Sequence, residues 1–227
     1  MLYKFTDHPD ETISPLQWGG DKNMSQAKPA PVNYSVHDLI ANRWSPRAFD
    51  PQRPVGSAEL CQLLEAARWS ASCSNEQPWQ FIVTTHSDPS SYAKLLECLV
   101  PANAVWAKNA PVLLLVLART TFKRNDSAND WALYDAGQAA ASLVIQATAL
   151  GLVAHQMAGF DATLAISHFQ IPSTVRPLAV IALGYGADPS TLPTPELQQR
   201  ETAPRTRIDL TEFTFGGNWG ESWTELR

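Results

Sequence analysis

Two nearly unbroken apolar runs, at residues 111–118 and 177–185, stand out along the chain. Neither alternates with polar residues, so both are predicted to be strands covered on both faces. Between them, residues 130–150 carry the longest helical pattern, ended by Gly151, which suits a left-handed cap. At 1.5 Å per residue this helix is roughly 30 Å long, enough to cross a small domain, which makes it central. Ala136, Gly137, Ala139, Ala140 and Ala141 make it thin. Small residues let another backbone come close, either inside one subunit or across a two-fold axis between two copies.

The remaining pattern is shorter-ranged. Ser35 is expected to cap a short helix through Ala41, and Ser57 a second helix with Leu60, Leu63, Leu64 and Ala67 at helical spacing, ending near Trp69. Residues 79–85 read as a strand from their β-branched and aromatic content, and Asp88-Pro89 opens another helix. Residues 1–35 lack periodicity and are rich in proline and glycine, which predicts an extended arm. After Ala187 the chain turns proline-rich and then aromatic, so residues 211–227 are expected to wrap the domain or a partner subunit rather than form a core.

Composition narrows the function classes. With 227 residues, 44% hydrophobic, there is enough material for one full core. A net charge of -5 gives no basic face for nucleic acid. Three cysteines without a C-x-x-C pair indicate neither a disulfide framework nor a zinc site, and a reducing, cytoplasmic setting fits. No apolar run approaches the ~20 residues of a spanning helix.

Chemistry concentrates in Arg43-Trp44-Ser45-Pro46-Arg47-Ala48-Phe49-Asp50. Pro46 disfavours the helical region for Ser45, so the segment is expected to be extended, with Arg43, Ser45 and Arg47 projecting to one side. Two guanidinium forks and a hydroxyl on one face suit a phosphate monoester; two surface arginines flanking a turn would have the same sequence. Ser74, Asn75 and Gln77 lie in a loop before the first strand, where the amides offer donors and acceptors that match a ring edge alternating C=O and N–H, and also suit an ordinary loop. His155 and His168 have no nearby acid or cysteine partner at ligand spacing and are read as packing or surface residues, and Cys73 as a small apolar one.

The set Arg43-x-Ser45-x-Arg47-Ala48-Phe49, Ser74-Asn75-x-Gln77-Pro78-Trp79, the thin helix ending Gly151-Leu152, Gly159-Phe160-Asp161 and Gly184-Tyr185 resembles the nitroreductase family of FMN-dependent oxidoreductases across about residues 36–210. The resemblance implies an α+β fold, a mostly antiparallel central sheet flanked by helices, and a homodimer with the long helix at its interface. It implies FMN as the bound cofactor and NAD(P)H as cosubstrate, with hydride passing through flavin N5 to a nitroaromatic, quinone or similar acceptor by a ping-pong scheme. Dehalogenation, flavin fragmentation or flavin binding without turnover are the alternatives within that fold. By the same resemblance Arg43, Trp44 and Ser45 lie at the FMN phosphate, and Arg47 at the flavin N1 and O2 edge. Ser74, Asn75 and Gln77 approach the ring from the partner subunit, Gln156-Met157-Ala158-Gly159 form the turn facing N5, and Arg205 and Arg207 complete the phosphate site. No protein acid or base is required, and no metal. The chain departs from the family in its long arm and in residues 119–130, which precede the helix where relatives line the substrate channel.

Overall fold

The computed structural model describes residues 28–225; the expected arm before residue 28 lies outside them. Four antiparallel strands form one sheet in the order β1-β2-β4-β3, with β1 Trp79–Thr85, β2 Val112–Arg119, β3 Val153–Met157 and β4 Val175–Gly184. The two apolar runs are the two central strands, as their lack of alternation requires. Along β2, Leu113, Leu115 and Leu117 enter one core while Val112, Leu114 and Val116 enter another on the opposite face. Helices α3 (Pro89–Glu97), α4 (Pro101–Ala107) and α6 (Ala162–Phe169) cover the first face through Tyr92, Leu95, Trp106 and Ala165; α2 (Ser57–Arg68) and α5 (Ala132–Ala149) cover the second.

Helix α5 ends as expected. Gly151 takes φ +72°, its N–H donates to Thr148 and the N–H of Leu152 to Ala147, the two bonds of a Schellman cap. Ala136, Ala139 and Ala140 are buried against this chain's own core, whereas Gly137 and Ala141 face outward, and a Cβ added at Gly137 meets open space. The thin helix therefore has an inner and an outer small-residue face.

Two caps differ from expectation. Helix α1 (Asp38–Asn42) is capped by His37 rather than Ser35, through a hydrogen bond from Leu39 N–H to His37 Nδ1. Helix α2 has Gly56 as its cap, with Ser57 already helical, because the Glu59 carboxylate reaches back to the Gly56 N–H at 2.6 Å. The proline-rich stretch after Ala187 contains a further helix, α7 (Pro195–Thr202), whose Thr194 cap and Pro195 start follow ordinary N-terminal chemistry. It buries Leu197 and Glu201. Near the C-terminus, Phe215 pairs with Ser222 and packs its ring on Trp219 at 4.7 Å.

Candidate functional site

The arginine segment is built into the molecule from both sides. Asp50 N–H donates to Tyr185 O, Phe49 pairs with Gly186, and the Nδ1–H of His155 on β3 donates to Pro46 O at 2.9 Å. In chain order the segment thus passes His155 at Pro46 and reaches the Val153 end of β3 at Phe49 and Asp50. Burial and packing on Trp106 keep His155 neutral, with its pKa lowered to about 4.

Arg43 follows α1 with extended backbone, and its Nη1 lies 3.4 Å from Ser45 Oγ, so these two do share a face. Arg47 does not join them in any direct contact. Its guanidinium lies 3.8 Å from Glu201 Oε2, while its own N–H and that of Ala48 donate to Glu201 Oε1 at 2.7 and 3.0 Å. Trp44 packs its ring under the Lys28 ammonium at 4.6 Å, and that ammonium donates to the Glu201 carbonyl.

The late basic pair comes to the same place. Arg205 donates to the carbonyls of Lys28, Ala41 and Arg43 at 2.8, 2.6 and 3.0 Å, tying three segments together and serving a carbonyl in the last turn of α1. Arg207 is exposed. Burial first, and then the charge of Arg207, lower the pKa of Arg43; burial, then Arg43 and Arg207, lower that of Arg205. Three guanidinium groups from opposite ends of the chain are therefore within electrostatic reach of one another, an arrangement that favours an anion. A groove of about 610 Å³ runs alongside, between residues 30–36 and 205–210.

The loop before β1 is of another kind. Ser74, Asn75 and Gln77 all take positive φ, at 52°, 57° and 51°, which for residues other than glycine stores backbone strain. The turn is held from below by the buried Asp135, which accepts the Cys73 N–H at 3.0 Å, and by Ser72, which accepts the Gln77 N–H. Residues 119–130 brace it from the side: Lys123 donates to Glu76, and Arg119 N–H to Pro78 O. Asn75 and Gln77 remain exposed, with the Gln77 amide donating to Asn75 O.

On the edge strand β3, Gln156 is exposed and Met157 buried, and Ala158 just after the strand is exposed. Packing within this chain calls for glycine at 159: a Cβ there would lie 2.8 Å from Asn103 Nδ2 and 2.9 Å from Val100 Cγ2. Its carbonyl accepts from Asn103 and from Val100 N–H, fastening the turn to α4. Glu201, Lys28 and Asp135 hold the candidate groups in place and were not singled out from sequence; no motif marks them.

A family model described as "Nitroreductase family" matches residues 40–185. A Mycolicibacterium smegmatis protein, described as an uncharacterised 15.4 kDa protein in the ask 5′ region, is 39% identical over 115 residues, covering 51% of this chain and 76% of its own length. The major NAD(P)H-flavin oxidoreductase of Aliivibrio fischeri is 50% identical over 48 residues, 21% of this chain and 22% of its own. A solved structure, described as that of an oxidoreductase containing FMN, superposes with a TM-score of 0.79 at 35% identity, covering 85% of this chain and 97% of that one. Among the described residues no helix is long and apolar enough to cross a membrane.

Proposed function

This chain belongs to the nitroreductase family, and from that premise we propose that it is an FMN-dependent oxidoreductase that carries hydride from NAD(P)H to an electron-poor acceptor, a nitroaromatic, quinone or similar compound, by alternating half-reactions. The observation that carries the reading is that Arg43, beside Ser45, lies within electrostatic reach of Arg207, a repulsion that an anion between them would relieve. The phosphate of FMN is that anion. The relatives named for FMN and for NAD(P)H-flavin oxidoreduction support the choice.

Arg43, Ser45 and Arg207 would hold the phosphate, with Trp44 on the adjoining wall. Arg205 would act as a strut: three of its N–H groups already serve carbonyls, one of them that of Arg43, so it fixes the backbone of Arg43. Arg47 would set a positive charge at the N1 and O2 edge, where reduction leaves negative charge. The turn of Gln156, Met157, Ala158 and Gly159 would present backbone to the ring, kept rigid by Asn103. Bound FMN supplies a ring that accepts hydride from reduced nicotinamide and releases it to the acceptor, so the protein's part is binding and orientation.

Ser74, Asn75 and Gln77 precede β1 and the Gln156–Gly159 turn follows β3, at opposite edges of a four-stranded sheet and so separated by three strand spacings, at least about 14 Å. A second copy, docked on the outer face of α5, is proposed to bring its Asn75 and Gln77 to the ring. Gly137→Leu, whose side chain meets open space within one chain, is expected to abolish that association while the monomer stays folded, as read by sedimentation and circular dichroism. The three free cysteines suit a reducing, cytoplasmic setting. Anaerobic mixing of the FMN-loaded protein with NADH or NADPH tests the activity. Loss of the flavin absorbance, restored by a quinone, is expected; absorbance unchanged by both nucleotides would sink the reading.

A further inference from the structure

Glu201 is 1% exposed, yet it carries an ionisable side chain. Its Oε1 accepts the N–H groups of both Arg47 and Ala48, and Oε2 accepts no hydrogen bond among the described residues, facing Arg47 Nη1 at 3.8 Å. Its backbone carbonyl takes the Lys28 ammonium at 2.6 Å. A carboxylate this deeply placed is costly unless charge and hydrogen bonds answer it, and here the cation of Arg47 and two amide hydrogens do so. The amides alone would be served equally well by a neutral acceptor. The carboxylate adds a negative charge 3.8 Å from the Arg47 guanidinium, and that charge offsets it.

We propose that Glu201 is a positioning residue for Arg47 that also sets how much positive charge Arg47 presents to the cofactor, and so poises the flavin's reduction potential from the end of α7. This rests on the FMN reading above. A cation at the N1 and O2 edge binds reduced flavin more tightly than oxidised, and a buried carboxylate against that cation weakens the preference. Glu201→Gln keeps an oxygen for the two N–H groups and removes only the charge. The ratio of affinities for reduced over oxidised FMN is expected to rise on the order of tenfold, about 30 mV for a two-electron couple.

The test is the midpoint potential of bound FMN, taken by equilibration with a reference dye in wild type, Glu201→Gln, Arg47→Met and the double variant, with FMN affinity titrated for each. An upward shift in Glu201→Gln with oxidised-FMN affinity retained supports the proposal, together with a downward shift in Arg47→Met. In the Arg47→Met background the Glu201 substitution should lose at least half of its effect. An unshifted potential in Glu201→Gln overturns the proposal and leaves FMN binding standing, as does an undiminished shift without Arg47. Arg47→Met at the wild-type potential overturns the proposal without touching Glu201, since there is then no charge to offset. A wild-type protein that binds no FMN instead removes the reading on which all of this rests.

Discussion

The arginine segment and the loop before β1 make opposite use of the chain. Residues 43–50 are held by partners distant in sequence, His155, Glu201 and Arg205, and are largely withdrawn from solvent. Residues 74, 75 and 77 are exposed and strained in φ, and the loop is tied to neighbours at its base and side. One region is finished within a single subunit. The other stores strain in its backbone beneath side chains that meet little of their own chain.

The sharpest way to separate the two regions is to cut each at its anchor. Arg43→Ala removes a charged donor from the proposed phosphate site and should weaken FMN binding by about 2–5 kcal/mol, measured by fluorescence titration. Next in size is the pH response of His155. Its folded pKa of about 4 lies below the ordinary 6.5, so the unfolded chain binds the extra proton between these values, and stability rises with pH across that window. The contribution is complete above about pH 6.5, is lost as pH falls toward 4, and amounts to about 3 kcal/mol. In His155→Phe, denaturant midpoints measured across the window should lose this slope.

Arg205→Ala releases three carbonyls and is expected to lower stability by about 2 kcal/mol in urea denaturation. Lysine at this position should fail to rescue it, since an ammonium lacks the planar fork that spans three acceptors. The smallest effect belongs to the loop. Asp135→Ala frees the Cys73 N–H and should lower stability by about 1 kcal/mol while loosening residues 72–77, seen as faster amide exchange there with exchange at residues 43–50 unchanged. Slower or equal exchange at 72–77 would show that Asp135 does not hold the turn.

The same contrast explains what could be read from sequence. Strands β2 and β4 and helices α3 and α5 were legible because burial on both faces, a proline after an N-cap and a terminal glycine leave local marks. Helix α7 was hidden: among its residues only Leu197 and Glu201 are buried, so its apolar periodicity is faint inside a proline-rich stretch. Helices α4 and α6 and edge strand β3 are short and were likewise passed over. At the site, Arg43 and Ser45 could be paired through Pro46, but Arg47 could not be assigned its true neighbour. Glu201 is a residue type almost never fully buried, and nothing in residues 195–202 announces that it is. Arg205 binds backbone carbonyls, which carry no sequence signal, and Gly159 answers to Asn103 and Val100, a contact only the tertiary fold creates.

Convergence of Arg43 and Arg207 on one phosphate is most directly tested by titrating the wild-type protein with FMN and with riboflavin, which differ only in that phosphate. FMN should bind tighter by about a hundredfold or more, in keeping with charge-assisted bonds to a dianion, and Arg43→Ala should remove most of the difference. Equal affinity of the wild-type protein for the two flavins would contradict it.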